Sequence, residues 1–506
     1  MPNGGRRDRM NTAEDGLPLP QRYWAILNLA VGIALSVLDS AIANIALPAI
    51  AKEIHASAAD SIWVINAYQL AVVISLLPFA SLGDIFGYRR IYIIGLVVFT
   101  GAALVSALSH SLLMLTLGRA LQGLGAAGIM SVNTALVRFT YPRRQLGRGI
   151  AMVSVVVSIS SAAGPSVAAA ILAVASWPWL FAINVPIGLA ALLMSWRLLP
   201  VTPPSEHRFD LLSAVLSAVA FAFLISGINS IGHHHPAFLV ASELAGGFLV
   251  GYVLVRRQSS LAMPLLPVDL FKRPVFALSV ATAVSAFVAQ GIVFVALPFY
   301  FQDMIGRSQV ETGLLMTPWP VTVAIIAPIA GRLADRYPAG ILGGIGLWVL
   351  SLGFVLLALL PAQPGDASIV WRIVVCGFGF GFFQSPNNRA IVSSAPRERS
   401  GGAGAIQATA RLLGQTIGAA LVALVFGYAG PGGGTSPRTA ILIAAGFSAL
   451  AAVVSLSRLL NSVRLPRRAS VQVPARPNPN RDQVPLQQPP QQMTTARQVD
   501  LRRGRV

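Results

Sequence analysis

A chain of 506 residues that is 55% hydrophobic and only 11% charged, with a mean hydropathy of +0.69, lies outside the composition of soluble globular domains. Its formal net charge of +19 would suit a nucleic-acid binder, but the basic residues sit in short breaks between long apolar runs, which excludes that reading. The single cysteine, Cys376, excludes a disulfide framework within the chain.

About fourteen apolar runs follow one another, each long enough to cross a hydrocarbon core of about 30 Å as a helix. They lie near 23 to 50, 62 to 82, 91 to 109, 112 to 137, 150 to 174, 179 to 200, 210 to 232, 237 to 256, 275 to 298, 311 to 333, 340 to 361, 369 to 392, 403 to 427 and 439 to 458. The expected fold class is an all-α polytopic membrane protein. The first run follows RRDRMNTAEDG but is too long, and lacks a small-residue cleavage site, to be a signal peptide.

That first run carries one carboxylate, Asp39, about 16 residues in and so about 24 Å from its start. A charge at mid-membrane costs roughly 2.5 to 3.5 kcal/mol on translocon-type scales, so the acid marks a functional site. Ser36, Asp39, Ala43 and Ala46 share one helical face, a strip of small side chains suited to close packing or a cavity. Proton carriage and cation recognition are the functional readings; an acid that only pins helices through a permanent ion pair is the alternative.

Run two opens with Tyr68 and Gln69. The loop after it, LGDIFG followed by YRR, holds Asp84, Gly87, Arg89 and Arg90. Run four places Arg119 on one polar face with Gln122, Ala126 and Asn133, and an Arg that approaches a carboxylate in one conformation would load and unload its proton. Run five has a stripe of Ser154, Ser158, Ser161 and Pro165 with Gly164 beside it, either a bend where two halves meet or ordinary helix packing. His233, His234 and His235 fall in a short loop and make a weak metal site, so no metal is expected; Glu243 in run eight reaches toward a surface.

In the second half, Gly377, Gly381, Gln384 and Asn388 share a face of run twelve, and Gln407, Arg411, Gly414 and Gly418 a face of run thirteen. With Gln290, Trp319, Tyr68 and Gln69 they would line a mostly apolar cavity with a few polar anchors, the usual character of a small-molecule pocket, or serve as interhelical bonds. From Ser462 the Pro-, Gln- and Arg-rich tail has no apolar periodicity and reads as disordered.

Placing both termini in the cytoplasm puts about 31 of the 37 Lys and Arg on that side, leaves Lys52, Arg307 and Arg438 outside, and Arg119, Arg372 and Arg411 within spans. The loop LADRYP repeats LGDIFG, with Asp335 at a 251-residue interval from Asp84 and each following the second span of a six-span unit. Two parallel six-helix bundles with a site between them near mid-membrane is a known transporter plan, and spans seven and eight would be an insert.

The chain here resembles the major facilitator superfamily, and within it the fourteen-span drug:proton antiporters. The resemblance rests on LDSAIANIALP in span one, WVINAYQL opening span two, GDIFGYRR after it, GRALQGLGAAG in span four, GP in span five and WPWLFAINVPIG opening span six. Ala168, Ala169, Pro178 and Pro338 depart from the family pattern. The resemblance implies an N-terminal segment (1 to 22), a six-helix bundle (23 to 200), two inserted helices (201 to 258), a second six-helix bundle (259 to 460) and a cytoplasmic tail (461 to 506).

It further implies proton coupling through Asp39 and Arg119, and substrate contacts drawn from Asp39, Tyr68, Gln69, Gln122, Gln290, Trp319, Gln384, Asn388 and Arg411. Asp84, Gly87, Arg89, Arg90, Gly164, Pro165 and Asp335 would act as latch or seal in alternating access. The implied activity is proton-driven export of small amphipathic compounds, cations among them, across a bacterial inner membrane, with protons, substrate and lipid as partners. Uptake by symport, and a sensor or assembly protein that keeps the fold, are the alternatives. Some related exporters work with a periplasmic adaptor, which the short outer loops here do not require. With no phosphate-cradling Walker motif, HExxH pattern or nucleophile elbow, neither ATP nor a cofactor nor enzymatic chemistry is expected.

Overall fold

A computed structural model of the chain describes residues 16–142, 145–202, 210–232, 236–260, 268–395, 400–429 and 436–464, so the three-histidine loop and the tail from 465 lie outside the described residues. The described residues up to Ser462 form one compact unit. Its long helices are α1 (Gln21–Glu53), α2 (Trp63–Phe86), α3 (Tyr88–Ala107), α4 (Leu112–Thr140), α5 (Leu146–Leu172), α6 (Asn184–Leu198) and α7 (Leu211–Gly232). They continue with α8 (Ala237–Ser260), α9 (Pro274–Phe299), α10 (Pro318–Leu333), α11 (Ala339–Ala358), α12 (Asp366–Ser394), α13 (Ser400–Ala429) and α14 (Ser436–Arg464).

Thirteen spans among the described residues are long and apolar enough to cross a membrane unbroken. The fourteenth is α5, bent by 42° between Val155–Ser161 and Ala163–Leu172. Pro165 supplies the cause: it has no N–H to give the carbonyl four residues back, at Ser161, and its ring crowds that turn. Short helices lead into three spans, Ala58–Ser61 before α2, Pro178–Ala182 before α6 and Gln309–Met316 before α10. Four N-termini have side-chain caps among the described residues: Ser57 accepts from the Asp60 amide, Ser111 from that of Met114, Asp210 from that of Ser213, and Ser308 and Glu311 form a reciprocal capping box.

In a membrane there is little hydrophobic drive between helices, so close packing of small residues holds them together. At the α3–α4 contact a Cβ on Gly95 would come within 2.9 Å of the Gly125 carbonyl, and one on Gly128 within 3.0 Å of the Gly95 Cα. The α11–α12 contact repeats this: a Cβ on Gly346 would lie 2.7 Å from the Gly379 carbonyl, and one on Gly379 2.6 Å from that of Gly346. Gly346 and Gly379 stand at the same 251-residue interval from Gly95 and Gly128 that separates the two loop aspartates. The internal repeat therefore extends from the loops into the packing.

α1 begins and α14 ends at one face of the bundle, here the terminal face, because the chain makes an even number of crossings between those two points. Toward the opposite face the two halves share one apolar core, in which Ile42–Ile50, Ile62, Trp177 and Phe181 pack with buried residues of α9 to α14. Toward the terminal face the first half has its own core, around Ala25, Tyr92, Val132 and Leu136, which takes only Leu412 from the second half among its buried members. Polar ties follow the same division. Gln302 Nε2 donates to the Ile45 carbonyl (2.9 Å), Lys52 pairs with Asp303 (2.6 Å), and the hydroxyls of Ser166 and Thr317 lie 2.8 Å apart, all toward the opposite face. α7 packs on α8 and touches both α2 and α13.

Candidate functional site

The small-residue face of α1 lets α2, α4 and α6 approach Asp39, which is 2% exposed. Its carboxylate is fully engaged. Arg119, 1% exposed, pairs with Oδ2; Gln122 Nε2 and Asn184 Nδ2 each donate to Oδ1 at 2.8 Å. Arg119 is held in turn by the Val64 carbonyl (3.2 Å) and Gln122 Oε1 (2.8 Å), with its guanidinium 4.2 Å from the Tyr68 ring centre and 5.3 Å from that of Phe181. A buried pair needs such additional bonds, because desolvation of two ions otherwise outweighs their attraction. Two aromatic faces add cation–π attraction on the sides that the carboxylate does not occupy.

Between the halves lies a cavity of about 80 Å³, lined on α1 by Ser36, Ser40 and Asn44, on α2 by Tyr68 and Gln69, and on α9 and α13 by Gln290, Phe294, Arg411 and Gln415. Asp39 does not line it. Tyr68 stands between: it lines the cavity, lies against Arg119, and its hydroxyl donates to the Ser36 carbonyl (2.9 Å), so it closes the ion pair off from the cavity.

Of the residues expected to contact substrate, Tyr68, Gln69, Gln290 and Arg411 do line this space, whereas Gln122 is fully buried against Asp39. Trp319 lies inside the second half, 2% exposed, stacked on Phe354 at 5.7 Å and edge-on to Phe294 at 5.2 Å. It thus backs a cavity-lining ring instead of facing the cavity. Gln384 and Asn388 are half-buried on α12 and do not line it. The bundle-facing amide on that helix is Asn387, which donates to the Ser279 carbonyl (3.1 Å) and accepts from Arg458 (2.9 Å). Three residues of these networks were absent from the sequence expectations: Asn184, Asn387 and Arg458. Asn184 stands within the quoted WPWLFAINVPIG stretch; Arg458 is a charge in an apolar run, a signal that the sequence did carry.

Gly164 and Pro165 sit where the halves meet. A Cβ on Gly164 would lie 2.4 Å from that of Ala41 on α1, and the Pro165 carbonyl is 2.6 Å from where Gly313 would carry one. Gly87 makes the α2–α3 turn at φ +93°, and the amide of Tyr88 donates to Thr202 Oγ1 (2.8 Å) at the end of the first half. There Tyr88 donates to the Asp84 carboxylate and Arg89 to the Trp196 carbonyl, while Arg90 is exposed. In the second loop Asp335 pairs with Arg389, 54 residues further on. Arg138 stands at that same spacing from Asp84, yet among the described residues Asp84 bonds Tyr88 and not Arg138. The two halves thus hold equivalent aspartates differently. Ser226 donates to Glu243 (2.9 Å), tying α7 to α8.

The family model described as Major Facilitator Superfamily matches residues 29–419. The uncharacterized transporter YebQ of Escherichia coli (strain K12) is 55% identical over 447 residues, which cover 88% of this chain and 97% of that one. The multidrug efflux pump LfrA of Mycolicibacterium smegmatis is 31% identical, over 82% of this chain and 84% of its own length. Among solved structures, an inward-facing, unoccupied bacterial homologue of the human lysosomal transporter Spinster superposes with a TM-score of 0.63 at 15% identity, covering 89% of this chain and 100% of that one.

Proposed function

From the premise that the chain belongs to the Major Facilitator Superfamily, we propose that it is a proton-coupled exporter of small amphipathic molecules, working by alternating access in a bacterial inner membrane. One observation carries the reading: a sealed Asp39–Arg119 pair lies one aromatic ring away from a cavity between the two halves. A charged pair with no access to solvent stores no useful proton, whereas one that a single side-chain movement opens to a substrate cavity can exchange it. Tyr68 is that side chain. With the cavity open to the outside, Asp39 takes a proton as Arg119 withdraws. With it open to the cytoplasm, entering substrate displaces the ring, Arg119 returns to the carboxylate and the proton leaves to the cytoplasm, so proton and substrate cross in opposite directions.

One proton moving down a 100 mV potential yields about 2.3 kcal/mol, enough for more than tenfold accumulation. No ATP site is required. The positive-inside distribution makes the terminal face cytoplasmic, so the merged core and the Gln302, Lys52 and Ser166 ties close the outer side. The similarity to a pump named for multidrug efflux supports the outward direction. α1 to α6 and α9 to α14 are the moving halves, with α7 and α8 as the insert.

The test uses everted membrane vesicles under an imposed proton gradient, acid inside, with fluorescent amphipathic probes supplied in the outer medium. The exporter accumulates probe in them and loses it when an uncoupler is added. Accumulation only in right-side-out vesicles would instead establish uptake. Orientation is checked separately with an impermeant thiol reagent on intact cells: a cysteine at the exposed Gln363 should be labelled and one at Arg336 shielded, and the converse pattern overturns the assigned sides.

The unequal loops suggest a latch. We take Asp84 to exchange Tyr88 for Arg138 as the halves rock, matching the Asp335–Arg389 pair of the other half. Asp84→Asn should then slow transport several-fold while substrate affinity stays within about twofold, since it biases conformations and leaves the cavity alone. Lost binding with normal turnover of bound substrate would show that the loop shapes the site.

A further inference from the structure

The cavity has a sign. Arg411 is the only charged side chain among the residues that line it, and among the described residues it has neither an acid within ion-pair distance nor a hydrogen-bond partner. The nearby carboxylate, Asp39, is absent from the lining and has both oxygens committed to Arg119, Gln122 and Asn184. A cation entering this space therefore meets a fixed like charge and no counter-charge.

The amides around Arg411 add no charge. Gln290 Oε1 accepts from Gln415 Nε2 (3.3 Å), and the Thr416 hydroxyl, 3.4 Å from Gln69 Oε1, gives its proton to the Leu412 carbonyl at 2.8 Å. Gln69 and Gln290 can therefore both donate to a ligand and accept from one, and Arg411 alone sets the preference for its charge. The cavity thus offers one guanidinium beside neutral amides and hydroxyls that can donate or accept, against apolar walls from Val72, Met130, Phe294 and Leu412. A guanidinium with no counter-charge in the lining matches a carboxylate, which it can hold in two parallel bonds.

We infer that the transported molecules are amphipathic organic anions, with Arg411 as the group that binds the carboxylate and Phe294 as a surface for the apolar part. This rests on the exporter reading above and replaces the expectation of cationic substrates with its opposite. Because a half-buried guanidinium with no partner among the described residues gains charge-assisted bonds from its ligand, Arg411 should account for much of the affinity.

The test uses three probes of one shape: 2-naphthoate, 2-naphthylmethanol and 2-naphthylmethylammonium, titrated by calorimetry into the full chain in detergent. The wild type should bind the anion about tenfold or more tightly than the cation, and Arg411→Gln should weaken the anion by about tenfold or more while leaving the neutral alcohol within about twofold. Arg411→Lys should recover part of the loss, and it carries the test if the Gln variant does not fold. A wild type that prefers the cation, that binds no naphthoate at millimolar concentration, or that binds it equally well as Arg411→Gln overturns the inference. Vesicle flux separates this from the exporter reading. Selective naphthoate binding without proton-driven flux would sink export and leave the site standing, and proton-driven export confined to the ammonium probe would do the reverse.

Discussion

Asp39→Asn should yield a folded protein that no longer moves substrate against a gradient. The amide has the size of the carboxylate, and its one oxygen can still accept from Gln122 and Asn184, which both donate to Oδ1. Arg119 is not abandoned by the change. It keeps the Val64 carbonyl and Gln122 Oε1 as acceptors, and the faces of Tyr68 and Phe181 remain against its guanidinium. Those contacts hold a cation without a carboxylate, so the melting temperature should fall by only a few degrees.

What the amide cannot do is gain and lose a proton. Downhill equilibration of substrate should persist, while accumulation driven by a pH gradient should vanish. Asp39→Glu restores titration in a longer side chain and should recover part of the driven flux. The measurement is transport in vesicles with and without an imposed gradient, beside equilibrium binding. Uphill transport at the parental rate by the Asn variant would make Asp39 a structural acid and move the coupling elsewhere.

The course of the chain through the membrane was legible from hydropathy alone, since each span must satisfy its backbone internally and can do so only as an apolar helix. The interruption of α5 was written in Pro165, which leaves the Ser161 carbonyl at the bend without its usual donor. Asp39 and Arg119 were legible for a related reason: a charge in an apolar run is expensive enough to stand out from its neighbours. That the two meet was not, because a contact between residues 80 apart depends on how α1 and α4 pack and on no local pattern.

Uncharged polar residues were harder to read. Asn184 carries no charge to mark it, and its role appears only when α6 packs on α1 beside the carboxylate. On α12, Gln384 and Asn388 share a face one turn apart, but the buried amide is Asn387, a helical rotation of about 100° away. Trp319 shows the same ambiguity for aromatic rings, which suit a pocket wall and a core equally well. The charge of the cavity emerged only once Arg411 was seen to line it while both oxygens of Asp39 were committed to Arg119, Gln122 and Asn184, a property of pairs and not of residues.

Arg119→Gln should be the most damaging single substitution, and a second substitution should repair the fold without repairing the function. Removing the guanidinium leaves the Asp39 carboxylate in a 2% exposed position with only two amide donors. Breaking a buried pair from one side costs about 3 to 5 kcal/mol, because the remaining ion has lost both water and partner. Low yield and a melting temperature lowered by roughly ten degrees or more in detergent should follow. The asymmetry with Asp39→Asn arises from the surroundings: Arg119 has aromatic faces and carbonyls to fall back on, whereas the carboxylate has no second cation within reach among the described residues. Neutralising both members, as Asp39→Asn with Arg119→Gln, removes the orphaned charge and leaves amides that can bond one another and Gln122. The double variant should therefore melt several degrees above Arg119→Gln alone, while proton-driven flux stays absent. A double variant no more stable than the single one would show that the two charges are not energetically coupled. Driven transport by the double variant would remove the pair from the coupling machinery altogether.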